Sequence, residues 1–187
     1  MGAAVARGLI SRYEEWGIEI AGIAVRDVAK AEAAGLGKIA PLTTDPAALA
    51  ASDVDLVVEL MGGLDPALGV VESALKSGRP VVTANKLLLA NFGARLESLA
   101  RASGAALRFE SAVAAGVPII GVLARDMAAN EITSIKGIIN GTTNYILTKM
   151  ESEGWSYEQA LGEAQKIGYA EANPKSDVEG EDAAAKL

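Results

Sequence analysis

The chain has 187 residues, of which 50% are apolar, 22% are charged and 4% are aromatic, and its formal net charge is −7. That much apolar material excludes wholesale disorder, and the acidic balance excludes a general electrostatic attraction to nucleic acid or to anionic membranes. Cysteine and histidine are both absent, which excludes disulfides, Cys/His zinc sites and histidine acid–base catalysis, so any proton transfer requires Lys, Asp, Glu, Tyr or water.

The first 110 residues predict strands and helices in alternation. A helix opens the chain and ends near Gly17. The predicted strands are residues 19–25, 55–60, 80–83 and 106–109. The predicted helices are residues 27–36, 46–51, 66–76 and 87–103, the last interrupted at 91–93. Apolar strands that alternate with helices are typical of parallel βαβ units, so we expect a doubly wound, Rossmann-like α/β domain.

The pattern changes after residue 112. It predicts a helix over 116–127, a longer strand over 131–139 and a loop over 169–180. Further helices are predicted over 142–152 and 156–167, and from 181 onward. We therefore expect a domain boundary near residues 110–116, with a dinucleotide-binding domain over 1–112 and an α+β domain over 113–187.

The two ends of the sequence suggest a segment of a longer protein. A dinucleotide-binding sheet normally opens with a strand and a G-x-G-x-x-G turn before its first helix. If Gly2 is the third glycine of that motif, the first strand and two glycines would precede residue 1. An unrelated N-terminal helix is the alternative. The last predicted helix reaches Leu187 after less than two turns.

Export and membrane signals are not visible. The longest apolar run, residues 112–124, is too short to span a bilayer. No basic region followed by an apolar stretch opens the sequence. We expect a cytoplasmic protein that binds neither membrane nor nucleic acid.

Three groups of segments carry a family resemblance. They are VELMGG (58–63) with GRPVVTANK (78–86), FESAVAAGVPII (109–120) with GIINGTTNYIL (137–147), and GYAEANPKSDVEGEDAAAKL (168–187). In this order and spacing they resemble the homoserine dehydrogenases, NAD(P)-dependent oxidoreductases that interconvert L-aspartate 4-semialdehyde and L-homoserine. The resemblance implies a role in threonine, methionine and isoleucine biosynthesis, a second domain for substrate binding and dimerisation, and a homodimer or higher homo-oligomer.

Residues at the ends of the predicted strands are candidates for cofactor binding. Gly62 and Gly63 follow a strand, where glycine lets a backbone approach a ligand closely, although an ordinary turn is the alternative. Thr83 and Lys86 follow the next strand. A lysine at a helix start opposes the helix dipole, which suggests a use beyond solvation. The resemblance places this lysine beside cofactor and substrate, and it adds the Gly168 backbone to the cofactor contacts.

The end of the first predicted strand bears on the choice between NAD and NADP. Asp27 would suit a ribose 2′-hydroxyl, whereas Arg26 would pair with a 2′-phosphate. We favour NADP through Arg26, with Lys30 as a helper and NAD as the alternative. A surface charge pair without a cofactor role is the other interpretation.

The resemblance also implies a monovalent cation site, usually occupied by sodium. One carboxylate and three backbone carbonyls would form a cage of hard oxygen ligands. The matching residues are Glu110, Val113, Ala115 and Val117. We expect this ion to be structural rather than catalytic.

The richest chemistry lies near the C-terminal end. Asp182 and Lys186 are four residues apart and share a helix face, which alone predicts a surface ion pair worth about 0.2–0.5 kcal/mol. The resemblance instead implies that Glu171 and Asp182 hold the substrate's amino group and that Lys186 donates the proton, with Lys86 in support. It gives Asp177 a further active-site position.

The turn over residues 140–144 is a secondary candidate. Asn140 or Thr142 would cap the helix that follows. The resemblance places this turn near the substrate. Two alternatives to the whole interpretation remain: another NAD(P)-dependent amino-acid carbonyl reductase, or a folded fragment without catalysis.

Overall fold

A computed structural model describes the backbone of all 187 residues and every side chain except those of Tyr13 and Glu14. The chain divides into two compact units, Met1–Phe109 and Glu110–Leu187. The division lies three residues before the boundary at 112 that the sequence suggests. Each unit is described by itself below.

The first unit is a parallel α/β structure, as the sequence predicts. Strand β1 (Ile23–Ala24) pairs in parallel with β2 (Leu42–Thr43). Strand β4 (Val81–Thr83) lies between β3 (Val57–Glu59) and β5 (Leu107–Arg108), again in parallel. Four of the strands fall inside predicted ones. The sequence missed β2 because its paired part is only two residues long and carries no alternation.

Six helices accompany these strands in the described backbone. Their bounds are α1 Gly2–Ile10, α2 Tyr13–Trp16, α3 Val28–Ala33, α4 Pro46–Ala51, α5 Ala67–Lys76 and α6 Lys86–Ser103. Side-chain caps fix three of their starts, because Asp27, Asp45 and Asn85 each accept the backbone N–H three residues on. These bonds satisfy donors that a helix start leaves unpaired.

Two predictions about helix continuity were wrong. The opening helix is two helices, since residues 11 and 12 form a turn between α1 and α2. Helix α6 runs unbroken through residues 91–93. A mid-helix glycine costs about 1 kcal/mol relative to alanine, but the side chains of Leu88 and Leu96 on either side are fully buried. Burial of two leucines outweighs that cost.

The core of the first unit lies where α5 and α6 pack beside the three-stranded sheet. Val71, Leu75, Val81, Leu88 and Leu96 are fully buried there. The free edge of β3 is less buried than this core, because Leu56 and Val58 are 46% and 41% exposed. Burial is therefore concentrated around β4, the strand with a partner on both sides.

The second unit is helical. It contains α7 (Gly141–Glu153), α8 (Tyr157–Lys166), α9 (Lys175–Val178) and α10 (Glu181–Ala184), preceded by a π-helical turn over Val122–Asp126. Ser156 and Gln159 form the reciprocal capping box that the sequence predicts at the start of α8. A small core of Ile146, Ala160, Ala164 and Ala170 joins α7 to α8. No helix of the described residues is long and apolar enough to cross a bilayer.

The strand predicted over 131–139 is not formed. These residues carry neither helix nor strand, and Ile132, Ile135 and Ile138 are 41%, 60% and 57% exposed. An isolated strand is unstable in water because its backbone groups have no ladder partner. The sequence pattern gave strand propensity, but the described residues supply no neighbouring strand. The helix predicted over 116–127 is shortened, with its helical turns beginning at Ile120.

Candidate active-site residues

Two loops meet at the carboxyl ends of β3 and β4. Gly62 and Gly63 follow β3 and both adopt left-handed backbone angles, with φ of 74° and 69°. Asn85 follows β4 and caps α6, and its side-chain amide donates to the Gly63 carbonyl at 2.6 Å. Thr83 is fully buried at the end of β4, and Lys86 is the first residue of α6. The structure thus brings together the cofactor candidates that the sequence places in separate motifs.

Glu59, the last residue of β3, holds these two loops in place. Its side chain is 2% exposed. One carboxylate oxygen accepts the backbone N–H groups of Met61 at 2.7 Å and Gly62 at 3.3 Å, and the other accepts the Thr83 hydroxyl at 2.5 Å. Glu59 was not among the candidates predicted from the sequence. The available signal was a carboxylate inside the apolar run of residues 55–60, because a charge in such a run requires hydrogen-bond partners if it is buried.

The other cofactor candidates of the first unit lie in exposed positions. Arg26 and Lys30 are exposed, and the Asp27 carboxylate accepts the backbone N–H of Lys30 at 2.9 Å as the cap of α3. Asp27 therefore already has a structural role. Gly2 is the first residue of α1, and a Cβ placed on it would meet nothing within 4 Å.

The loop expected to bind a cation is tightly turned. Ala114 and Ala115 both have positive φ, 56° and 51°, which strains residues that carry a Cβ. The Glu110 carboxylate accepts three backbone N–H groups, from Ile119 at 2.7 Å, Ile120 at 2.9 Å and Gly121 at 2.8 Å. A carboxylate has about four acceptor positions. A cation in this loop would therefore rest mainly on backbone carbonyls rather than on the expected carboxylate ligand.

These hydrogen bonds hold the pKa of Glu110 below its ordinary value of 4.5, the largest contribution coming from the Ile119 N–H. We expect the carboxylate to stabilise the folded unit fully above that value and to lose this effect as the pH falls through the lower folded pKa. In urea unfolding, the gap between the wild-type and Glu110→Gln midpoints should stay constant between pH 7 and about 5.5 and shrink below 4.5.

Glu151→Gln is the matched control, because Glu151 is exposed on α7. Its urea midpoint should lie close to that of the wild type. A Glu110→Gln gap that is flat down to pH 3 would contradict the assignment.

One member of the acidic cluster of the second unit, Asp182, is buried rather than solvated. Asp182 is 8% exposed, and its Oδ2 accepts both the Lys186 Nζ at 2.5 Å and the Asn140 amide at 2.8 Å. Lys186 also donates to the Ile139 carbonyl at 2.6 Å. Asp177 accepts the Asn140 amide at 2.8 Å and lies 2.9 Å from the Thr142 hydroxyl. The ion pair that the spacing of Asp182 and Lys186 predicts is therefore formed, but it is largely buried and not at the surface.

The remaining site candidates of this unit lie outside the cluster. Glu171 is exposed, and in the described structure its carboxylate accepts no hydrogen bond and forms no ion pair. Gly168 follows α8 with φ of 79°, and its N–H donates to the Gln165 carbonyl at 3.2 Å. That conformation closes the helix end, which is a sufficient structural reason for glycine.

A parallel α/β sheet with a glycine turn and a capped helix at the carboxyl ends of its strands defines a dinucleotide-binding domain of the Rossmann-like class. Two family models agree with this class and also identify the family. The model described as "Homoserine dehydrogenase, NAD binding domain" matches residues 1–110, and the one described as "Homoserine dehydrogenase" matches residues 118–187. The chain belongs to the homoserine dehydrogenase family.

Individual relatives support this membership. The chain is 48% identical to a homoserine dehydrogenase of Corynebacterium glutamicum over 90% of its own length and 38% of the relative. A second, from Lactococcus lactis, is 43% identical over 95% of this chain and 42% of the relative. The chain therefore spans about two fifths of the length of these curated relatives.

Solved structures give the same result. The crystal structure of a homoserine dehydrogenase from Thiobacillus denitrificans matches 99% of this chain and 44% of its own with a TM-score of 0.89 at 44% identity. A hyperthermophilic archaeal homoserine dehydrogenase mutant in complex with NADPH matches 84% of this chain and 50% of its own with a TM-score of 0.73 at 36% identity. These likenesses support the Rossmann-like fold of the first unit.

Proposed function

We propose that the protein carrying this chain reduces L-aspartate 4-semialdehyde to L-homoserine with a nicotinamide cofactor. The single observation that carries the proposal is the hydrogen-bonded cluster of Asp177, Asp182 and Lys186, in which Asp182 is buried, in a chain that belongs to the homoserine dehydrogenase family. A substrate with a charged amino group and a carbonyl to be reduced needs carboxylates and a proton donor together.

Lys186 is the proposed proton donor. An ammonium group has three N–H donors, and two of those on Lys186 are directed to Asp182 and to the Ile139 carbonyl. One donor is left for the oxygen of the substrate carbonyl. NADPH, when bound, supplies the hydride to the carbonyl carbon. Lys186 then delivers its proton to the resulting alkoxide oxygen, and Lys86 is the proposed supporting cation.

The carboxylates are proposed to bind the substrate. Asp182 is fixed by two donors and presents a buried negative charge, which suits an ammonium group. Glu171 is exposed and has the conformational freedom to close over the same amino group. Asp177 is the further acidic residue of the site.

The edge of the first unit fits a dinucleotide. Open space surrounds the positions where Gly62 and Gly63 would carry a Cβ, so a pyrophosphate could approach their backbone closely. We propose that these glycines, Thr83, Lys86 and the Gly168 backbone contact the cofactor. We also propose that Gly2, the first residue of α1, contacts the cofactor. The start of a helix is where a G-x-G-x-x-G turn binds phosphate.

Further parts of the proposal concern the ion and the assembly. The tight loop at Glu110, Val113, Ala115 and Val117 is proposed to hold a monovalent cation, sodium in the first instance, through hard oxygen ligands. A homodimer or higher homo-oligomer is proposed, supported by the exposed isoleucines of residues 131–139, which have no strand partner. A cytoplasmic location and a role in amino-acid biosynthesis complete the proposal.

The test is an activity assay on a hybrid enzyme. The chain replaces the matching segment of the Corynebacterium glutamicum relative, and aspartate-semialdehyde-dependent NADPH oxidation is followed by nicotinamide absorbance. Activity supports the proposal. A folded hybrid that binds NADPH but leaves the semialdehyde unreduced would overturn it, and a panel of amino-acid aldehydes and ketones would then identify another carbonyl substrate.

Arg26 is proposed to select NADP. Asp27 is engaged as a helix cap, so the exposed Arg26 guanidinium is the better partner for the ribose that carries the 2′ substituent of the cofactor. It would pair with a 2′-phosphate. A hydrogen bond to a charged group is worth about 1.5–3 kcal/mol. Arg26→Ala should therefore weaken NADPH binding by about 10- to 100-fold and change NADH binding little.

Fluorescence titration of the hybrid with each cofactor measures this difference. Arg101→Ala is the control, since the Arg101 side chain is 75% exposed at the far end of α6. Equal binding of NADH and NADPH, unchanged in Arg26→Ala, would remove Arg26 from this role and leave NAD as the cofactor.

A further inference from the structure

Asn140 connects two carboxylates of the second unit, that of Asp182, which is buried, and that of Asp177, which is half-buried. Its side-chain nitrogen donates to Asp177 Oδ1 and to Asp182 Oδ2, each at 2.8 Å. Its side-chain oxygen accepts the Thr143 N–H at 2.8 Å and caps α7. Asn140 is 6% exposed, so water has little access to replace these bonds. All the hydrogen-bonding groups of one side chain are thus committed to fixed partners.

We propose that Asn140 is a positioning residue, which holds Asp177 and Asp182 at a fixed separation and so aligns Lys186 for proton transfer. This inference rests on the proposed function of the site. Asn140 itself touches no reacting atom, and it acts through the two carboxylates.

The chemistry of the amide explains why asparagine suits this place. Two carboxylates that approach one another repel, and a neutral group with two N–H donors bridges them without adding charge. The same side chain needs an acceptor for the helix start. Serine has a single O–H donor and so cannot donate to both carboxylates, while aspartate supplies only acceptors and would bring a third negative charge against Asp177 and Asp182.

The position of Asn140 also couples three helices. The cap ties it to α7, while its amide reaches Asp177 on α9 and Asp182 on α10. Helices α9 and α10 have only four residues each, too few to be stable by themselves. The bridge from α7 therefore fixes the direction of both acids and, through Asp182, of the Lys186 ammonium.

The kinetic test uses variants that keep the cap. Asparagine, aspartate and serine are nearly equal as N-caps, so Asn140→Ser and Asn140→Asp separate bridging from capping. In the hybrid enzyme, Asn140→Ser should lower kcat by about 10- to 100-fold, with a change in NADPH KM of less than about threefold. Its urea midpoint should fall, because Asp177 and Asp182 lose a donor, so kcat is measured at a temperature at which circular dichroism shows the variant to be folded. Asn140→Asp should be at least as impaired.

The control is Asn130→Ser, the same change at an exposed position of the same unit. It should leave kcat and both KM values at wild-type levels. A wild-type kcat in Asn140→Ser would overturn the inference. So would a kcat that returns to the wild-type value whenever Asn140→Ser is fully folded, because loss of folding alone would then account for the effect.

A spectroscopic measurement tests the bridge without relying on turnover. In the ¹⁵N-labelled hybrid enzyme, the two side-chain NH₂ protons of Asn140 should give separate resonances, because each is bonded to a different carboxylate. Asp177→Asn should move one of these resonances and Asp182→Asn the other. Protons insensitive to both changes would overturn the inference even if the hybrid is active. If the hybrid has no activity but the protons respond as expected, the bridge stands and the proposed reaction fails.

Discussion

Lys186→Arg should lower kcat for semialdehyde reduction by about 10²–10⁴-fold, the range that general acid catalysis contributes. Arginine keeps the positive charge and the donors for Asp182 and the Ile139 carbonyl. Its guanidinium does not release a proton near neutral pH, because the pKa of arginine lies far above that range. The variant therefore removes the transferable proton and keeps the positive charge beside Asp182.

Lys186→Ala should lose at least as much kcat, but it is the less informative variant. The side chains of Lys186 and Asp182 are only 15% and 8% exposed. Removing one partner of a buried ion pair costs about 3–5 kcal/mol, since an uncompensated charge remains. A urea unfolding curve is needed to separate loss of folding from loss of proton transfer.

Steady-state kinetics of the hybrid enzyme provide the measurement, and Lys166→Ala is the matched control. Lys166 also forms a short-range pair, with Glu163, but its side chain is 77% exposed. Its removal should leave kcat and the NADPH KM unchanged. A Lys186→Arg variant with nearly normal kcat would exclude Lys186 as the proton donor.

The sequence predicted the parts of the fold that depend on local pattern. Apolar runs located β1, β3, β4 and β5, and the Ser156 and Gln159 capping box marked the start of α8, because capping is a short-range interaction. The strand over 131–139 failed for the opposite reason. A strand needs a partner elsewhere in the chain, and periodicity within one segment does not reveal whether that partner is present.

In the candidate site, too, local sequence patterns did not reveal contacts with distant parts of the chain. The spacing of Asp182 and Lys186 predicted their pairing, but burial is a tertiary property and turned a surface pair into an enclosed one. Asn140 could be identified as a cap from its neighbours. Its contacts with Asp177 and Asp182 span 37 and 42 residues, and no local pattern encodes them.

Glu59→Ala should destabilise the first unit by about 2–4 kcal/mol. Its carboxylate is the acceptor for the Thr83 hydroxyl and for the N–H groups of Met61 and Gly62. A buried donor left without an acceptor costs about 1–3 kcal/mol. The Thr83 hydroxyl is fully enclosed, whereas Met61 and Gly62 are exposed residues that can turn to water. The estimate therefore counts Thr83 fully and the two N–H groups in part.

Glu59→Gln removes the carboxylate and keeps the size and shape of the side chain. Glutamine keeps one oxygen for the Met61 and Gly62 N–H groups but presents an NH₂ group towards the Thr83 hydroxyl. That hydroxyl already accepts the Asn85 N–H at 3.0 Å, so its own proton would lose its acceptor. We expect about half the destabilisation of Glu59→Ala, and a weaker affinity for NADPH, because the glycine turn and the loop before α6 are no longer tied together.

Urea unfolding and NADPH titration of the hybrid enzyme measure the two effects. Glu97→Ala is the control, since the Glu97 side chain is 48% exposed and pairs only with the exposed Arg101 on the same helix; exposed pairs of this kind contribute at most about 1 kcal/mol. If Glu59→Ala is no more destabilising than Glu97→Ala and binds NADPH normally, the carboxylate does not organise the two loops. If stability falls while NADPH affinity is unchanged, Glu59 supports the fold at this edge but not the proposed cofactor site.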